Sequence, residues 1–198
     1  MIVAVSGKAR SGKNTFADFL AVEMYNRTRH VFTLMAYADE LKNRLQKDFD
    51  LSWEQLWGSD KELEDKRYPK GLDGITLNSC WTAREMMQHY GNLMRWFHSN
   101  FWVEKLFDVI DAKYDDVIIT DVRFPNEVDP VLERGGYHVR INRVNTEEVH
   151  GSLHASETSL DAPYKVDFVV TNSGTLEDLK KLAGDIASGI IQLEKLRR

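Results

Sequence analysis

The chain has 198 residues, 42% hydrophobic and 29% charged, ordinary values for a single soluble globular domain with a real core. Its formal net charge of −5 excludes an overall basic field for a long nucleic acid, while leaving room for a small anion in a local basic cleft. The single cysteine, Cys80, excludes an intramolecular disulfide and fits a reducing compartment; no apolar run suits a signal peptide or a membrane span, so the cytoplasm is the expected location.

The apolar, β-branched run Met1–Ser6 predicts a buried parallel strand. A glycine-rich turn follows, then a helical pattern from Lys13 to Tyr25 and a strand over Val31–Ala36. Asp39–Phe49 reads as a helix with Leu41 and Leu45 on one face, and Ser52 caps a short helix to Trp57. Gly58–Ser79 carries Gly58, Pro69, Gly71, Gly74 and many charges, and reads as a long mobile loop. Thr82, with Glu85 three residues on, caps a helix to Phe97. Then come a helix over Trp102–Ala112, a strand over Val117–Thr120, a helix over Pro125–Gly135 and a strand over Tyr137–Arg143. A polar loop over Asn145–Asp161, a strand over Val166–Thr171 and a helix over Leu176–Leu196 complete the chain. Strands alternating with helices predict a parallel α/β sheet, whose ligands bind beyond the carboxyl ends of the strands.

The strongest chemical signal is Gly7-Lys8-Ala9-Arg10-Ser11-Gly12-Lys13-Asn14-Thr15, a GxxxxGK phosphate loop between a strand and a helix. Its glycines let the backbone wrap phosphate oxygens, its amides and the helix N-terminus supply positive potential, and Lys13 is placed to reach the β and γ phosphates. Asn14 stands where this motif usually has the Ser or Thr that helps hold Mg²⁺. Either the Asn14 carbonyl or the Thr15 hydroxyl could serve the metal.

Asp121 ends the apolar run Val117–Thr120, an arrangement that could hold Mg²⁺. Val122 follows, where a motor ATPase would often place Glu to polarise water, which favours transfer over hydrolysis. Arg123 shares a face with Asp121 and suits a phosphate clamp, with a salt bridge to Glu127 as the competing role. Arg143 ends the next strand and opens the loop that holds His150, His154 and Glu157, residues read first as loop surface. Arg84, Gln88 and Arg95 form one helical stripe, read on spacing alone as a solvated face that an anionic ligand could also use. Lys42 and Arg44 read as ordinary surface charges. Trp53, Trp57, Trp81, Trp96 and Trp102 read mostly as core, and this aromatic excess is the sequence pointer to a homodimer. Asn172 and Gly174 lie in a strand-end turn where an adenine ring could rest, with Thr175 capping the helix that follows.

Together these residues resemble the deoxynucleoside monophosphate kinases of bacteriophages, a P-loop family related in fold to other nucleotide kinases and to animal-type phosphomevalonate kinases. Ser6–Thr15 is similar to that family's SGxxRSGK[DN]T signature, in which Asn14 fits. Met87-Gln88 with Gly91, the helix Trp102–Phe107, Thr120–Arg123 with Asn126-Glu127, His154, Glu157, Leu160 and the run Asp167–Leu179 resemble its further segments. The resemblance is thinnest over Gly58–Ser79. It implies a P-loop kinase-type parallel sheet flanked by helices, with a helical substrate-binding insert over 37–112 and a short lid over 144–162. It implies transfer from ATP with Mg²⁺ to deoxynucleoside monophosphates, in a phage-infected bacterial cytoplasm, with no polymeric nucleic acid or membrane as partner. It raises Arg84 and Gln88 to substrate-site candidates, which Arg95 joins by its place on the stripe. Lys13, Arg123 and Arg143 are the expected catalytic cations. Three rivals stand beside this reading: a kinase for dephospho-coenzyme A or phosphomevalonate, a nucleotide switch, and a partner-coupled ATPase. The absence of an NKxD motif counts against a GTPase switch, and Val122 against the ATPase.

Overall fold

The computed structural model describes residues 1–72, 75–143, 160 and 164–197, without the side chains of residues 72–78. The chain divides into two compact units, one of residues 1–36 with 107–198 and one of residues 37–106.

The first unit is built on a five-stranded parallel sheet of β1 (Ile2–Ser6), β2 (Thr33–Met35), β5 (Val117–Val122), β6 (Tyr137–Arg143) and β7 (Phe168–Asn172), in the order β2-β5-β1-β6-β7. β1 lies in the middle, and all five of its residues are buried, which is why its sequence is a continuous apolar run rather than an alternating one. From β1 the chain crosses by α1 (Lys13–Thr28) to the β2 edge, and from β5 by α6 (Pro125–Glu133) to β6. Connections thus leave the middle of the sheet in opposite directions, and the crevice beyond the carboxyl ends of β1, β5 and β6 is where such sheets bind ligands.

One sheet face packs Val3, Val5, Ile118, Val139 and Ile141 against Phe16 and Leu20 of α1 and Leu179, Ala183 and Ile190 of α7 (Leu176–Arg197). Phe16 is fully buried, worth about 1.5–3 kcal/mol in transfer free energy. α6 packs on β1 and β6, burying Val128 and Val131. α1 ends three residues beyond the expected Tyr25, where Arg29 turns left-handed at φ 63° and its N–H caps the Tyr25 carbonyl.

The second unit holds α2 (Tyr37–Phe49), α3 (Trp53–Leu56), a 3-10 turn (Asp60–Glu62), β3 (Glu64–Leu72), β4 (Ile75–Thr82), α4 (Ala83–Phe97) and the start of α5 (Phe101–Lys113). Leu41, Leu45, Leu51, Leu56, Ala83, Met86 and Trp102 form its core. The expected caps are present. Ser52 and Gln55 exchange hydrogen bonds at the start of α3, and Thr82 and Glu85 do the same at the start of α4.

One expectation is corrected here. Gly58–Ser79 is not one long loop: most of it is the 3-10 turn and the antiparallel β3–β4 hairpin. Pro69 is tolerated because both strands of a two-stranded sheet are edges and the register shifts on either side of it. The tryptophans divide: Trp102 is buried and Trp57 and Trp81 pack against the same core, as expected of most of them, while Trp53 is 60% and Trp96 79% exposed.

Candidate active site

Between the end of β1 and the start of α1, residues 7–12 form a tight loop with left-handed backbone at Gly7 (φ 146°), Arg10 (φ 60°) and Gly12 (φ 94°). The space is as restrictive as the dihedrals. A Cβ on Gly7 would lie 2.3 Å from the Ile141 carbonyl oxygen of β6, and one on Gly12 would lie 2.8 Å from Asn172 Nδ2.

Four loop carbonyls are drawn to side chains. Lys13 Nζ donates to the oxygens of Gly7 and Lys8, at 2.7 Å each. Arg143 Nη1 donates to the Arg10 oxygen at 3.1 Å, and Asn172 Nδ2 to the Ser11 oxygen at 3.0 Å. The structure thus brings together the phosphate loop, Lys13, Arg143 from the end of β6 and Asn172 from the end of β7. Ser11 is 1% exposed, and its hydroxyl has no hydrogen-bond partner among the described residues. A buried hydroxyl without a partner is costly, and an anion in the loop would satisfy it.

Asp121 lies half-buried in β5, beside β1, with Arg123 also half-buried just past the strand. The Glu127 carboxylate accepts the backbone N–H groups of Arg123 at 2.7 Å and Phe124 at 3.1 Å, so it fixes the turn into α6, with Pro125 at the first helical position. Asn14 is exposed and Thr15 half-buried in the first turn of α1. Amide, hydroxyl and carboxylate oxygens are the hard donors that Mg²⁺ takes, alongside phosphate and water.

Two supports beneath the loop join residues far apart in the sequence. Ser6, the residue before Gly7, places its Oγ 2.7 Å from Nε2 of His138, and both residues are fully buried. His138 Nδ1 faces the carbonyls of Tyr164 and Lys165, each at 3.2 Å. Carbonyls only accept, so Nδ1 carries the proton and Nε2 accepts from the Ser6 hydroxyl. Burial holds the imidazole below its ordinary pKa, outweighing those carbonyls and Asp167, and so keeps it neutral. Tyr164 and Lys165 are in turn tied to Asp129 of α6, at 2.9 and 2.7 Å. The second support is Asn172, placed at a strand end by the sequence but there given a ligand role rather than a grip on the Ser11 peptide. Gly174 lies in the turn before α7, where Thr175 and Asp178 exchange capping hydrogen bonds.

The substrate candidates belong to the second unit. Arg84, in the first turn of α4, is exposed and paired with Glu62; Gln88 is exposed; Arg95 donates to Asn92 Oδ1 at 3.2 Å. His150, His154, Glu157 and the lid expected over 144–162 lie outside the described residues, apart from buried Leu160. Among the described residues no helix is long and apolar enough to cross a membrane.

Comparison with known proteins agrees with this geometry. Residues 70–182 match the deoxynucleotide monophosphate kinase family. A protein of Acanthamoeba polyphaga mimivirus, provisionally named a deoxynucleotide monophosphate kinase, is 30% identical over 197 residues, covering 90% of this chain and 91% of the relative. The deoxynucleotide monophosphate kinases of Escherichia phage RB69 and Enterobacteria phage T4 are each 30% identical, over 63% and 52% of this chain and 52% and 44% of their own lengths. Among solved structures, the shikimate kinase of Aquifex aeolicus aligns with a TM-score of 0.48 at 15% identity, over 100% of this chain and 98% of that one, which carries no functional weight. With a phosphate loop closed by Lys13, Arg143 and Asn172 and a family match across more than half its length, the chain belongs to the deoxynucleotide monophosphate kinase family.

Proposed function

We propose that this kinase moves the γ-phosphoryl group of ATP onto the 5′-phosphate of deoxynucleoside monophosphates, giving diphosphates. The observation that carries the reading is the loop of residues 7–12, with its carbonyls engaged by Lys13, Arg143 and Asn172 and a buried Ser11 hydroxyl awaiting an acceptor. The amides of Gly7–Thr15 and the α1 N-terminus hold the triphosphate. Lys13 exchanges its two carbonyls for β- and γ-phosphate oxygens. The acceptor oxygen is already anionic and needs no general base, so catalysis rests on alignment and charge neutralisation. Arg123 and Arg143 neutralise charge on the transferring group, and Arg84, Gln88 and Arg95 orient the acceptor. Asn172 and Gly174 line the adenine side.

Mg²⁺ belongs to the same reading. Asp121 with Asn14 or Thr15 would hold it, and when bound it would supply charge compensation for the triphosphate. Residues 37–112 serve as the acceptor-binding insert. The acceptor, a free nucleotide, and the reduced Cys80 fit a cytoplasmic setting.

A Lys13→Met variant tests the scheme in a coupled ADP-release assay with ATP, Mg²⁺ and dTMP or dGMP. It should lose at least about 10²-fold in kcat, the scale of a lost preorganised electrostatic contact. Normal turnover in a folded Lys13→Met protein would refute the scheme.

A further inference from the structure

The second unit gathers three cations from three elements. Lys61 sits in the 3-10 turn, which packs on α3 and α4. It is half-buried, and among the described residues no carboxylate stands within ion-pairing distance of it. Arg84, in the first turn of α4, pairs with Glu62, the residue next to Lys61. Lys42 of α2 holds its ammonium 5.5 Å from the centre of the Trp57 ring, three residues before the turn, and 3.8 Å from Asp39 Oδ1.

We infer that Lys61, Lys42 and Arg84 form a phosphate-binding site of the second unit, and that its ligand is the 5′-phosphate of the acceptor nucleotide. The ligand's identity rests on the kinase reading above; the site itself does not. Burial and the neighbouring Lys42 and Arg84 charges hold Lys61 below the ordinary lysine pKa, with Glu62 offsetting them only in part. An ammonium in that position gains from an incoming anion. A phosphate monoester presents three acceptor oxygens and close to two charges, enough for two ammonium groups and the planar fork of Arg84. Arg84 and Glu62 are both exposed, so their pair contributes little and yields readily to a dianion. Lys61 was hidden in the sequence because it lay in a segment read as loop, and Lys42 because it read as surface charge.

The test uses the full chain with Lys61→Met, which removes the charge at similar length, and Lys61→Arg, which restores it. Calorimetry measures binding of dTMP, dGMP and thymidine, and kinetics measure KM for acceptor and for ATP. Lys61→Met should weaken dTMP and dGMP binding at least tenfold and raise the acceptor KM to match. Thymidine binding and the KM for ATP should stay within twofold, and Lys61→Arg should recover most of the loss. Unchanged monophosphate binding in a folded Lys61→Met protein would overturn the inference, as would equal weakening of thymidine. If the wild type binds deoxynucleotides without transferring phosphoryl to them, the kinase reading fails and the site stands. If it binds no nucleotide, titration with inorganic phosphate decides: binding lost in Lys61→Met keeps the site with free phosphate as its ligand, and no difference removes it.

Discussion

Replacing Asn172 by Ala removes the amide that donates to the Ser11 carbonyl across 3.0 Å. Asn172 is 8% and Ser11 1% exposed, so water is a poor substitute for the lost donor. A buried carbonyl left without its partner costs about 1–3 kcal/mol, and the middle of that range is about 2 kcal/mol. For a chain of this size each kcal/mol lowers Tm by about 2–4 °C, so the melt should fall by about 4–8 °C. The same bond fixes the Ser11 peptide inside the phosphate loop. If about 1.4 kcal/mol of the loss is felt when ATP binds, its KM rises about tenfold, while the KM for the acceptor stays near wild type. Asn172→Asp keeps the shape but turns an acceptor toward the carbonyl, and should be worse on both counts. Thermal melts and ADP release at varied ATP measure both. An Asn172→Ala protein with wild-type Tm and wild-type KM for ATP would refute the assignment of Asn172 as the loop's anchor.

Gly7→Ala should cost about 2–4 kcal/mol and abolish ATP binding, because a left-handed φ of 146° is added to a 2.3 Å approach to the Ile141 carbonyl, which is backbone and cannot swing away; wild-type melting and ATP affinity would contradict this. The neutral, buried His138 makes stability depend on pH. Its folded pKa lies below the ordinary 6.5, so the unfolded chain takes up the proton first as pH falls. Its contribution is therefore complete above about pH 6.5 and is lost below it. Urea midpoints between pH 7.5 and 5.5 should fall for the wild type and fall less for His138→Gln; parallel curves would rule out His138 as the source.

What the sequence revealed and what it hid follow from the range of the interactions. β1, the phosphate loop and α1 were legible because strand, glycine turn and helix start lie within 15 residues and each has a local signature. The Ser52 and Thr82 caps were legible for the same reason. The β3–β4 hairpin was not, since Pro69 and Gly71 are read as loop residues unless an edge pair with shifted register accommodates them. Asn172 was visible as a strand-end residue, but its partner is 161 positions away. His138 looks like any alternating strand residue, and only the register of β1 against β6 brings it near Ser6. Glu127 was expected at the Arg123 side chain; that its carboxylate also accepts the backbone N–H groups of Arg123 and Phe124 is a contact that sequence spacing does not express.

The most direct test of the central claim is ADP release from ATP and Mg²⁺ with each of dTMP, dGMP, dCMP, dAMP and a ribonucleotide, against a blank without acceptor. Release that depends on a deoxynucleoside monophosphate, with the matching diphosphate formed mole for mole, is the expected result. Release that ignores the acceptor, or none with any deoxynucleotide, would contradict it.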